Sequence, residues 1–176
     1  MGNFLESSVD FEHIYTCAKP VNKKKQPPLP FTTSALQQKA SNILSFSPKR
    51  TMTTAQKLYE QGFITYMRTD SRTYSKEFIG KAKKFIKDKW SSKYVNDNID
   101  ALSLRNGAKK NTKKNTKVDN AQEAHEAIRP TDVTREKLSS NIDPSQQRLY
   151  DLIWSNTVES CMAPAEYNLL SAKITA

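Results

Sequence analysis

Residues 58–71 read LYEQGFITYMRTDS: a helix-like run, a glycine, a short β-favouring run and a polar turn. Side chains of a strand alternate between faces, so an extended Ile64–Thr69 would project Tyr66 and Arg68 on one side. A phenol beside a guanidinium can do chemistry on a phosphate. Its pKa of about 10 leaves roughly one molecule in a thousand as phenolate at neutral pH, a deficit of about 4 kcal/mol. A fixed cation favours the phenolate and stabilises charge developing on a phosphate under attack. On spacing alone, a strand Tyr more often packs and an Arg two residues on more often faces water.

Upstream, the spacing predicts a helix after Phe31, capped by Thr33 or Ser34, with Leu36, Ala40, Ile43 and Leu44 inward. A basic turn, Ser45–Arg50, leads to a second helix in which Thr53 and Gln56 have capping-box spacing. Its apolar stripe is Met52, Ala55, Leu58 and Tyr59, and Gly62 suits the position after its end. Helix, turn, helix, glycine and strand is the order of a helix-turn-helix with a wing-like strand, and equally of two ordinary packed helices. Lys19–Pro30, KPVNKKKQPPLP, reads as a basic, proline-rich linker, and Phe4–Cys17 contains one strand around His13–Thr16.

Downstream, Ser75 caps a third helix with Phe78, Ala82, Phe85 and Ile86 inward. Its outer row of Lys76, Lys81, Lys83, Lys84 and Lys87 is a solvated face before it is a DNA contact. Residues 106–120, NGAKKNTKKNTKVDN, form a Lys/Asn-rich surface insertion. A short helix is expected over Thr134–Leu138. Asp143 and Pro144 then open a strong helix that buries Leu149, Leu152, Ile153 and Cys161. Residues 168–176, NLLSAKITA, look like a strand.

The chain has 176 residues and a formal net charge of +10, with a pI near 9.6. That balance implies a polyanionic partner, nucleic acid or an anionic membrane. No apolar run approaches the roughly 20 residues of a membrane span, and the acidic N-terminus is neither a secretory signal nor a transit peptide. Cys17 and Cys161 lack the spacing of a zinc site or a disulfide framework. The expected compartment is intracellular: cytoplasm or nucleoid, or an organelle or nucleus in a eukaryote.

Four blocks then decide the family: PPLPFTTSALQQKAS from Pro27, MTTAQKLYEQGFITYMRTDS from Met52, QEAHEAIRPT from Gln122, and QQRLYDLIW with CMAPAEY from Gln146. In this order the chain resembles the type IA DNA topoisomerases, of the bacterial topoisomerase I kind. The resemblance implies a mainly α (α+β) fold, with a helix-turn-helix-like domain over residues 31–166 and arch-domain pieces at 1–30 and 167–176. It implies that Tyr66 attacks single-stranded or negatively supercoiled DNA, forming a 5′-phosphotyrosine link without ATP. Arg68 and His125 would complete the catalytic set on this chain. Thr69, Ser71, Arg129 and Gln37, with Arg68, would contact DNA, Arg129 alternatively bracing its loop. Thr69, Asp70 and Ser71 would shape the turn that presents Tyr66, and Glu123 or Glu126 would raise the pKa of His125. Mg²⁺ would sit in a separate toprim domain, because Asp97 and Asp100 lie in a polar loop here and group no carboxylates. Without that partner the chain is expected to bind DNA weakly and not to relax it. The alternatives are a non-catalytic helix-turn-helix module that prefers duplex DNA, and a remnant of a split topoisomerase gene.

Overall fold

A computed structural model describes residues 14–103, 126–139 and 141–175. The expectations for His13 and His125 and for the insertion at 106–120 lie outside those residues. The chain divides into a ribbon unit, residues 1–26 with 164–176, and a larger body, residues 27–163.

Among the described residues the ribbon has four short strands, β1 (Ile14–Cys17), β2 (Val21–Lys25), β3 (Ala165–Leu169) and β4 (Ala172–Thr175). β1 pairs antiparallel with β4, from Ile14↔Thr175 to Cys17↔Ala172. β2 pairs with β3, from Val21↔Leu169 to Lys25↔Ala165. Three residues, 18–20, therefore face two, 170–171, and the register slips by one as in a bulge. The Ala18 amide bridges the gap by donating to the Ser171 carbonyl at 2.9 Å. Two expectations change here. The supposed linker holds a strand, because Pro20 and Pro27 only flank VNKKK and leave its amides free to pair. The single terminal strand is two, divided at the slip.

The body carries α1 (Thr33–Leu44), α2 (Pro48–Glu60), α3 (Lys76–Lys89) and α4 (Pro144–Ser160). Each start follows from a cap. Thr32, one residue before the expected pair, accepts from the Ala35 amide and caps α1. Ser47 accepts from the Arg50 amide with Pro48 in the first turn, so α2 begins inside the expected basic turn rather than at Thr53. Ser75 caps α3 and Asp143 caps α4, as the sequence indicates. α2 ends in a Schellman motif: the Gly62 amide donates to the Tyr59 carbonyl at 2.8 Å and the Phe63 amide to Leu58 at 2.9 Å. Gly62 has φ +73°, which an L side chain resists.

One core cluster gathers Leu36, Ala40, Phe46, Leu58, Ile64, Met67, Leu149 and Ile153 around α1, α2 and α4. A second gathers Tyr74, Phe78, Ile79, Ala82, Ile86, Ile99 and Val158 around α3. Trp154 packs against both and donates from Nε1 to the Val133 carbonyl at 2.8 Å. Ile43 and Tyr59, expected inside, are exposed. No helix forms over Thr134–Leu138. Both the amide and the hydroxyl of Thr134 bond the Asp132 carboxylate, and that local turn competes with a helical one.

Candidate active site around Tyr66

The run after Gly62 is not a strand. It makes a single bridge, Ile64↔Pro130, and Ile64 and Met67 are both buried, a spacing of three that alternation forbids. Cross-chain bonds replace the ladder. The Thr65 amide donates to the Arg129 carbonyl at 2.9 Å, and the Thr131 amide donates to Phe63 at 3.0 Å. The Thr65 hydroxyl donates to the Ala127 carbonyl at 2.9 Å and accepts from the Arg129 amide at 3.0 Å. Beyond the tyrosine, the Thr33 hydroxyl donates to the Met67 carbonyl at 2.7 Å and accepts from the Thr69 amide at 2.9 Å. The Thr33 amide donates to the Thr69 carbonyl at 2.9 Å.

The backbone of Tyr66 is therefore tied down on both sides while its side chain is 44% exposed. Arg68 is exposed as well, across the buried Met67, but the same-side projection expected of an extended run rests on a strand that does not form. The Tyr66 ring meets the Tyr59 ring edge-on, with centroids 5.3 Å apart and planes at 66°. Thr65, Tyr66, Thr69 and Glu126 line a cleft of about 210 Å³. Thr32, Thr33, Ser34, Gln37, Thr69, Asp70 and Arg72 line a second, of about 550 Å³. Thr69 borders both, so Gln37 shares a groove with the turn after Tyr66. Ser71 faces inward along that turn. Its amide donates to the Thr69 hydroxyl at 3.0 Å, and its own hydroxyl lies 2.9 Å from that of Thr73.

Arg129 turns away from solvent. Its Nε donates to Glu126 Oε2 at 2.7 Å, its Nη2 meets the same oxygen at 2.5 Å, and its Nη1 donates to the Pro130 carbonyl at 3.0 Å. The guanidinium carbon lies 4.2 Å from the centre of the Phe78 ring. Of the two roles expected for Arg129, this geometry is that of the brace. Glu126, expected as a partner of His125, is occupied by Arg129. The two threonine pins, Thr33 and Thr65, are not among the expected site residues, and nothing in their spacing marks them, because each bonds a segment more than thirty residues away. Among the described residues no group of three His, Cys, Asp or Glu side chains is placed to hold a metal ion.

A family model described as DNA topoisomerase matches residues 6–176. The chain is 44% identical over 165 residues to DNA topoisomerase 1 of Pseudomonas aeruginosa, covering 92% of this chain and 18% of that protein. It is 46% identical over 153 residues to DNA topoisomerase 1 of Mycolicibacterium smegmatis, covering 85% of this chain and 15% of that protein. The full-length topoisomerase I structure from Thermotoga maritima superposes with a TM-score of 0.66 at 29% identity, over 99% of this chain and 30% of that one. The chain belongs to the DNA topoisomerase family, in its type IA, bacterial topoisomerase I branch, and it spans less than a fifth of those two curated relatives.

Proposed function

We propose that this chain is the nucleophile-bearing part of a type IA topoisomerase, acting on single-stranded DNA through Tyr66. The observation that carries the proposal is a half-exposed phenol on a backbone tied at Thr65 and Met67 by side chains and amides from two distant segments. A pre-positioned nucleophile converts part of the entropic cost of attack into folding energy.

Tyr66 Oη would attack a phosphodiester phosphorus. A phosphotyrosine ester forms at the 5′ side, and the 3′ oxygen leaves as a hydroxyl after taking a proton. The reverse attack by that hydroxyl restores the strand, so no nucleotide triphosphate is consumed. Arg68, exposed two residues on, would offset phosphate charge in the transition state. His125 would donate to a phosphate oxygen or order the tyrosine's surroundings. Gln37, Thr69 and Ser71 would guide the strand along the groove beside the turn, and Arg129 would hold the loop through Glu126. Mg²⁺ does not fit the described donor set, since the acid that lines the Tyr66 cleft, Glu126, is already paired and no group of three His, Cys, Asp or Glu side chains lies together among the described residues. The metal and its carboxylates are proposed to come from a toprim domain outside these residues.

The test combines the purified chain with a separately expressed toprim domain of a relative, a single-stranded oligonucleotide and Mg²⁺. A covalent protein–DNA adduct is expected, and Tyr66→Phe should abolish it. An adduct that survives Tyr66→Phe places the nucleophile elsewhere. The chain alone is expected to leave negatively supercoiled DNA unrelaxed.

A further inference from the structure

We propose that Tyr59 is a positioning residue for the Tyr66 phenol. The proposal rests on the reading of Tyr66 as nucleophile and adds the group that holds its ring.

Tyr59 belongs to the apolar stripe of α2 but does not do the work of a core residue. Leu58 beside it is fully buried, whereas Tyr59 is 41% exposed. What it touches instead is Tyr66, edge to face at 5.3 Å and 66°, an arrangement that aromatic quadrupoles favour. The rings lie seven residues apart in sequence, and the chain between them is closed by the Schellman bonds from Gly62 and Phe63. That reversal carries the chain from Tyr59 back to Tyr66.

With Thr65 and Met67 fixed, the freedom left to Tyr66 is rotation about its own χ1 and χ2. Such rotation swings Oη through an arc and takes it out of line with a bound phosphate. The Tyr59 ring lies on one side of that arc. A contact of this kind biases rotamers by roughly two- to tenfold. Tyr59 needs its ring for this and not its hydroxyl, so phenylalanine should serve and leucine should not.

The experiment labels the chain with 3-fluorotyrosine and assigns the Tyr66 ¹⁹F resonance as the one lost in Tyr66→Phe. Tyr59→Phe should leave the Tyr66 resonance close to its original position. Tyr59→Leu should shift it and sharpen it, as the ring current is lost and the side chain is freed. An unmoved resonance in Tyr59→Leu overturns the proposal. In the adduct assay with the added toprim domain, Tyr59→Leu should slow adduct formation at saturating oligonucleotide by roughly three- to tenfold. The half-saturating concentration should stay unchanged, and Tyr59→Phe should restore the rate. An unchanged rate in Tyr59→Leu, or an equal loss in Tyr59→Phe, also overturns it. If the unsubstituted chain forms no adduct, the reading of Tyr66 fails, while the ¹⁹F comparison still decides whether Tyr59 holds the ring.

Discussion

Arg129 commits its guanidinium to the interior, with Nε and Nη2 on Glu126, Nη1 on the Pro130 carbonyl and its flat face on Phe78. Its side chain is 12% exposed and that of Glu126 24%, so the pair is only lightly screened. Removing one partner strands the other. Breaking a fully buried pair costs about 3–5 kcal/mol, and the residual exposure here lowers the expectation to about 2 kcal/mol. Arg129→Gln should show that loss in urea unfolding, and Arg129→Lys should recover little because an ammonium cannot make the forked contact. Adding Glu126→Gln to Arg129→Gln should return part of it, since the stranded carboxylate is then gone. No loss in Arg129→Gln would mean that the arginine is free for DNA after all.

The Schellman turn at the end of α2 is the element on which the site depends, and the sequence shows it plainly: an apolar stripe runs to Leu58 and a glycine stands three residues after Tyr59. The starts of α3 and α4 are equally legible, because Ser75 and Asp143 with Pro144 bond their helices within four residues. The run beyond Gly62 is not legible in this way. Ile64–Thr69 has the composition of a strand, but the Thr65 amide is taken by Arg129, and the Thr69 amide and the Met67 and Thr69 carbonyls by Thr33, partners that no local pattern reveals. Tyr66 and Arg68 stand out in the sequence through the motif that carries the family resemblance, not through their spacing. Tyr59 reads as a core residue and is not one, because period alone cannot separate the buried edge of a stripe from the face that meets a neighbouring ring. Two glycines test the turn. A Cβ at Gly62 meets nothing within 4 Å, so the cost of Gly62→Ala lies in the left-handed backbone alone, about 1 kcal/mol. Gly80 sits inside α3 with open space around it, and Gly80→Ala should stabilise by roughly 0.5–1 kcal/mol. Thermal melts of the two variants should move in opposite directions, and a stabilised Gly62→Ala would contradict the positive φ.

Three weak acids in the core of the body, Cys161, Tyr150 and Tyr74, fold protonated, and they set its response to alkaline pH. Burial pushes the Cys161 thiol up to about 11 and the Tyr150 phenol up to about 12. Burial, reinforced by the nearby Cys161, raises Tyr74 further still. Tyr74 donates to the Ser160 hydroxyl at 3.1 Å, because the Ser160 proton already goes to the Thr157 carbonyl at 2.7 Å. Tyr150 donates to the Arg135 carbonyl at 2.6 Å. Tyr150 belongs to the first core cluster, and Tyr74 and Cys161 belong to the second, so both halves of the core share the dependence. Each folded pKa lies above its unfolded value, so the native state holds these protons more tightly. Their contribution is complete below about pH 8.5–9 and is lost as pH rises through the folded values. Unfolding free energy should be flat from pH 7 to about 8.5 with respect to these groups, then fall by up to about 2–3 kcal/mol for Cys161 alone by pH 11. Cys161→Ala should flatten the slope between pH 9 and 11, by removing one acid and easing the shift of Tyr74, even if packing loss lowers its stability throughout. Urea titrations at pH 8, 9.5 and 11 separate the two effects. An identical alkaline slope in both proteins would show that the buried thiol does not carry the loss.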